Sequence, residues 1–293
     1  MSTLLYVITY LHALLPFPVL YVLSDILYFI VYYLVRYRRN LVRRNLTNAF
    51  PGKSGKEIIG IEKQYYRHLC DYYVETIKTL RISDEEAKKR MKFENPELVN
   101  ELTDQGKTCI LSLGHYGNWE WVSSIGFYLS PGVKPGLIYK KLNSDSFDSL
   151  FLKIRSRFSP VTMEMNRAYR RMIEAQNSGE VLVVGFLSDQ RPPRRSLNHW
   201  MEFLNQDTPI QIGMESIAKK MSNSVVYLDI KKVKRGYYTG KFHLITPDAS
   251  KEPELFVMKR YMGMLEKTVL REPAYYLWSH NRWKFKREEN EVK

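Results

Sequence analysis

The stretch Thr108-Cys109-Ile110-Leu111-Ser112-Leu113-Gly114-His115-Tyr116-Gly117-Asn118-Trp119-Glu120-Trp121 decides how the rest of this 293-residue chain is read. Its first half is apolar and reads as a buried strand. A helix-compatible segment follows, so the polar residues fall at the carboxyl end of a strand, where open α/β sheets bind ligands. Gly114 and Gly117 let the backbone turn sharply beside a ligand. Asn118 suits a helix N-cap, with Glu120 in the first turn. His115 is the candidate base, because a neutral imidazole accepts a proton near pH 7. Glu120 lies five positions on, about 140° around a regular helix, so the two share no helical face. They can meet only if His115 sits in the turn before the helix and reaches back. A carboxylate on one ring nitrogen would then fix the tautomer and free the other nitrogen as a base. By itself, a His and a Glu at this spacing is a weak signal.

Outward from that stretch, strands are expected at 108–113, 136–139, 181–187, 225–230 and 241–245. Helical patterns at 119–129, 147–157, 167–177 and 212–221 lie between most of them. This alternation predicts an α/β fold, a mostly parallel central sheet flanked by helices. Upstream, 56–80 reads as an amphipathic helix. Ser83-Asp84-Glu85-Glu86 opens another helix with a capping box, expected to pass to Phe93.

Thr3 to Val35 holds one charged residue, Asp25, and exceeds the ~20 residues that cross a bilayer. Pro16 and Pro18 divide it into a short helix, a kink and a longer helix to about Tyr37. Its tyrosines and phenylalanines suit an interfacial or obliquely inserted anchor, and Arg36, Arg38, Arg39, Arg43 and Arg44 follow at once. The positive-inside rule puts everything downstream in the cytoplasm. The expected organisation is an N-terminal membrane-anchoring helical segment, 1–37, followed by a cytosol-facing domain, 38–293. The formal net charge of +14 calls for an acidic partner. Nucleic acid is disfavoured by the apolar anchor and by the lack of a binding motif. Cys70 and Cys109 have no metal or redox spacing and read as reduced core residues. His115 and Glu120 supply too few ligands for a metal.

The sequence Gly-His-Tyr-Gly-Asn-Trp-Glu, with His115 and Glu120, resembles the His-x4-Asp/Glu motif of the glycerolipid acyltransferase superfamily. In particular it is similar to the lysophospholipid acyltransferase-like branch that contains the bacterial lipid A late acyltransferases. The resemblance continues along the chain. Residues 39–51 resemble the basic Asn-Leu…Phe-Pro segment after the anchor. Tyr139-Lys140-Lys141-Leu142-Asn143 resembles a Tyr-Arg-Pro-x-Asn block, with Lys140 in place of arginine. Arg155 and Arg157 match a basic pair on the next helix, and Leu187-Ser188-Asp189-Gln190 matches an Asp-Gln motif. Phe203 to Thr208 stands where a Phe-Phe-Gly block is usual, without the glycine. Pro273 to Lys284 resembles the terminal Pro-x-x-Tyr-Leu-Trp-x-His-x-Arg-Trp/Phe-Lys signature, with Asn281 for the commoner arginine.

The resemblance implies an O-acyltransferase that needs no cofactor. It would move an acyl chain from acyl carrier protein or acyl-CoA to a lipid hydroxyl, a lipid A precursor first, at the cytoplasmic face of the inner membrane. Related enzymes acylate lyso-amino-acid lipids or lysophospholipids. His115 and Glu120 would form the catalytic dyad. Arg157 falls best on the arginine that binds the reacting carbonyl or a phosphate. Arg155, Lys140, Asn143, Asp189 and Gln190 line the substrate side, and Gly114, Gly117 and Asn118 shape the turn, whose N–H groups offer an oxyanion site. The competing readings are a solvated helix face for Arg155 and Arg157, a pocket-shaping cap for Asp189, and a membrane-docked lipid-binding protein for the whole chain.

Overall fold

The computed structural model describes residues 3–287. The expected domain limits at 1–2 and 288–293 lie outside the described residues. Pro16 ends the first helix, α1 (Thr3–Leu14), and α2 (Phe17–Phe29) runs on into one π-turn at Ile30–Leu34. α3 (Arg39–Ala49) follows, then α4 (Gly55–Lys78), opened by a full capping box between Ser54 and Glu57. Ser83 caps α5 (Asp84–Arg90) as its sequence predicts. The helix stops three residues before Phe93, however, because Met91–Phe93 forms the edge strand β1. Three residues are too few for a period to reveal a strand.

The central sheet has seven strands in the order β1-β9-β8-β2-β5-β3-β4. They are β1, β2 (Cys109–Leu113), β3 (Lys134–Tyr139), β4 (Val161–Glu164), β5 (Leu182–Leu187), β8 (Ser224–Lys234) and β9 (Tyr237–Thr246). β6 (Trp200–Phe203) and β7 (Gln206–Pro209) make a separate antiparallel hairpin. Every pairing in the large sheet is parallel except β8 with β9. The fold is therefore α/β with a mostly parallel sheet between helices. The short strands β1, β4, β6 and β7 were not anticipated. Nor were α3 and α10 (Phe256–Arg271), although α10 buries Val257, Met258, Tyr261, Met262, Leu265 and Val269 at helical spacing.

The remaining helices are α6 (Glu97–Thr103), α7 (Asp145–Arg155), α8 (Ala168–Asn177) and α9 (Gly213–Lys220). The segment after Asn118 is a tight 3-10 helix, Trp119–Phe127, rather than an α-helix. Ser123 and Ser124 hydroxyls bond back to the carbonyls of Glu120 and Trp121, the local competition that disfavours a regular helix.

β2 is buried at all five positions and is flanked by β5 and β8, so the central stretch is the middle of the sheet. Leu111, 2% exposed, packs there. Leu111→Ala is expected to lower stability by about 2–5 kcal/mol, read as a reduced urea midpoint with an unchanged slope.

Candidate active site

β2 and β5 run in register, Leu113 opposite Leu187. Two residues beyond each lies a side chain with chemistry: His115 after β2, Asp189 after β5. The matched offsets bring them together. His115 Nδ1 is 2.7 Å from Asp189 Oδ1, and the His115 backbone N–H donates to Asp189 Oδ2 at 3.1 Å. A carboxylate accepts only, so the ring carries its proton on Nδ1 and presents a bare Nε2. The Gln190 amide Nε2 lies 3.1 Å from that nitrogen and donates to it. The imidazole keeps 16% of its side-chain surface exposed, and Asp189 keeps 2%. Burial pushes the Asp189 carboxyl up, but its electrostatic interaction with His115 and the two His115 hydrogen bonds outweigh it and hold it below its ordinary value.

Glu120 does not reach His115 as its partner. Arg155 grips it with two bonds, Nε to Oε2 at 2.9 Å and Nη2 to Oε1 at 2.7 Å, and the Tyr72 hydroxyl donates to it at 3.4 Å. Trp119 fills the space between these groups. Its ring stacks on Tyr72 at 4.1 Å and meets the His115 ring edge-on at 5.2 Å. Arg157 turns the other way, to Asp84 and to the Ile82 carbonyl at 3.3 Å. Of the basic pair, Arg155 is the member that joins the motif. Lys140 and Asn143 are exposed on the loop after β3.

The turn itself is held from outside. Gly117 has φ +60, and a Cβ there would lie 2.9 Å from Ile230 Cγ2, so glycine is required. Asn118 caps the 3-10 helix by accepting from Trp121 N, and its amide donates to Glu75 at 2.8 Å. Tyr116 bridges to Tyr276, Gly117 N donates to Tyr275 O at 3.0 Å, and Leu277 N donates to His115 O at 3.1 Å. The N–H groups of His115, Tyr116 and Gly117 are thus all engaged, Tyr116 N with Gly114 O. Three of the N–H groups expected at an oxyanion site in this turn are therefore already bonded within the protein.

The sequence reading gave no role to the terminal segment in building the site. His280 Nε2 accepts from Arg191 N at 3.1 Å, so the same segment clasps the loop after β5. Burial lowers the His280 pKa to about 4. Arg282, 1% exposed, has no hydrogen-bond partner for its guanidinium among the described residues. Burial lowers its pKa, countered by Tyr276, Asp189 and Tyr261. It places a desolvated positive charge behind the carboxylate that holds His115. Arg191, the second cation here, lies over the Phe285 ring at 5.0 Å. Among the described residues no group of three or more His, Cys, Asp or Glu could hold a metal ion.

The sequence profile of the bacterial lipid A biosynthesis acyltransferases matches residues 2–285. The chain belongs to that family. It is 23% identical over 272 residues, 92% of this chain and 86% of the relative, to the lipid A biosynthesis palmitoleoyltransferase of Escherichia coli K12. It shows the same identity and coverage with the lipid A biosynthesis acyltransferase of Shigella flexneri. The chain is accordingly an acyltransferase.

Glu120→Gln should cost about 2–3 kcal/mol, short of the loss for a fully buried pair because Arg155 stays a quarter exposed. Adding Arg155→Met should cost less than the sum of the two single changes, measured as a double-mutant cycle by urea unfolding. For His280, a lowered native pKa means that the unfolded chain binds the proton first. Its contribution is full above about pH 6.5 and is lost as pH falls toward 4. The drop in unfolding midpoint between pH 7 and pH 4.5 should therefore be smaller in His280→Gln than in wild type.

Proposed function

We propose that this acyltransferase moves a fatty acyl chain from an acyl thioester to a hydroxyl of a lipid A precursor, with His115 as the base and Asp189 as its orienting carboxylate. The hydrogen bond from His115 Nδ1 to buried Asp189, which leaves Nε2 bare beside Gln190, carries this reading. The acceptor hydroxyl displaces the Gln190 amide from Nε2 and gives its proton to that nitrogen. Its oxygen attacks the thioester carbonyl, and Asp189 stabilises the imidazolium that forms. The C–S bond then breaks, and the imidazolium returns the proton to the departing thiolate. No covalent acyl-enzyme is needed, and both cysteines are buried with thiols that burial pushes up to about 12.

The displaced Gln190 carboxamide, 3.1 Å from His115 Nε2, serves as a donor for the developing oxyanion. Glu120 and Arg155 act as a pair. They fix Tyr72, on which Trp119 stacks beside the imidazole, and leave the dyad to His115 and Asp189.

Charge supports the donor assignment. Acyl carrier protein is acidic and coenzyme A carries phosphates. Arg194, Arg195 and Lys140 are exposed on the loops that follow neighbouring strands β5 and β3, and none has an ion-pair partner among the described residues. Lipid A phosphates and inner-leaflet headgroups have the same sign, which fits a seat on the cytoplasmic face of the inner membrane.

The test is acyl transfer in detergent solution, with acyl carrier protein and coenzyme A thioesters offered to a lipid A precursor and products weighed by mass spectrometry. Wild type should add one acyl chain. His115→Ala and Asp189→Asn should each slow transfer by about 10²–10⁴-fold, and Gln190→Ala by about 10²-fold. Transfer that survives His115→Ala would sink the base assignment. Transfer only to a lyso-amino-acid lipid or a lysophospholipid would keep the chemistry and replace the acceptor.

A further inference from the structure

Phe17–Leu34 is long and apolar enough to cross a membrane. Its two faces nevertheless differ. Toward α4 it presents Tyr21, Ser24, Tyr28 and Tyr32, three, four and four residues apart, a single stripe of a helix. Each meets a charged residue of α4, which runs the opposite way. Tyr21 donates to Glu75 at 3.2 Å, Ser24 to Asp71 at 2.8 Å and Tyr32 to Glu62 at 2.9 Å, and the Arg67 guanidinium stands 5.1 Å over the Tyr28 ring. Arg235 ties Asp25 to Asp71. At the far end Lys78 Nζ donates to the carbonyls of Ala13 and Leu15, fastening the end of α1.

The outward face is apolar. Leu11, Val22, Ile26, Phe29 and Leu34 are 53–65% exposed, a contiguous patch of the kind that marks a membrane or partner surface. Cations stand at both ends: Arg36 and Arg38 are exposed after the π-turn, and Arg81 is exposed with its guanidinium 5.3 Å over the Tyr10 ring.

α4 cannot follow α2 into hydrocarbon, because Lys63, Arg67, Glu62, Asp71 and Glu75 would go with it. Nor can α2 enter alone without unmaking the ladder and carrying the Tyr21, Ser24 and Tyr32 hydroxyls away from their acceptors on α4. An in-plane seat satisfies both faces, with the apolar side in the headgroup–acyl boundary and the polar side still bonded to α4. We infer that α1 and α2 lie flat on an anionic bilayer leaflet as a docking face, and do not cross it. The inference rests on the membrane part of the reading above and is independent of donor, acceptor and catalytic residues.

The test uses the full chain. Tags at the two ends, probed by protease in sealed inverted inner-membrane vesicles, should both be accessible; ends on opposite sides would overturn the proposal. Purified protein should float with vesicles of phosphatidylethanolamine and phosphatidylglycerol, bind phosphatidylcholine vesicles at least tenfold more weakly, and release at high salt. Ile26→Asp with Phe29→Asp should weaken flotation at least tenfold and leave the urea midpoint unchanged. Tyr32→Phe should lower the midpoint and leave flotation intact. If the double aspartate variant instead abolishes a dimer and wild type ignores vesicles, the face belongs to a second copy and the proposal fails. Transfer measured in detergent reports on the acyltransfer reading separately, so either can fail alone.

Discussion

The parallel pairing of β2 with β5 is the constraint on which the candidate site depends. Hydrogen bonding sets Leu113 opposite Leu187, and chain geometry then carries His115 and Asp189 off the sheet at the same height. The register is fixed by burial. β2 is covered on every position, and a slip of one residue would turn each apolar side chain to the wrong face. Both loops that leave these strands are clasped by one terminal segment, through Tyr275, Leu277 and His280. The dyad thus sits on rigid elements at its base and is tied down from above.

Two buried carboxylates near one imidazole could compete for it, and the packing separates them. Arg155 saturates Glu120 with a fork that matches its two oxygens, while Asp189 receives the ring and backbone N–H groups of His115. Tyr72 and Trp119 lie in the gap. Such a division leaves Asp189 to orient the imidazole and Glu120 to hold Arg155 and Tyr72. The Arg282 guanidinium, buried near Asp189 with no hydrogen-bond partner among the described residues, is costly to desolvate. Its field favours an ionised Asp189, the state that keeps the His115 proton on Nδ1.

The same helix that supports the site also carries the N-terminal pair. Glu75 accepts from Tyr21 of α2, from Tyr238 of β9 and from Asn118 of the turn. One buried side chain therefore ties the apolar outer helices, the sheet and the cap of the 3-10 helix. α4 serves as a polar keel between a surface suited to lipid and a centre suited to acyl transfer.

Local chemistry in the sequence determined much of this. The apolar lead-in, the glycines and the Asn118 cap placed a turn with His115 at a strand end. Alternating patterns gave the α/β class, and the spread of similar blocks gave the family. These are properties of short stretches, set by periodicity and backbone preference. The tertiary structure decided who meets whom. Glu120 is five residues from His115 yet pairs with Arg155, and Asp189 is 74 residues away yet holds the ring. Arg155 and Arg157 look equivalent on paper and point apart, because α7 ends at Arg155 and Arg157 falls in the turn beyond it. Strand order is invisible in a single chain, since it depends on which strands share hydrogen bonds across the sheet. So the sequence by itself named the residues and the turn, and only the pairing of β2 with β5 could choose the partner of the His115 imidazole.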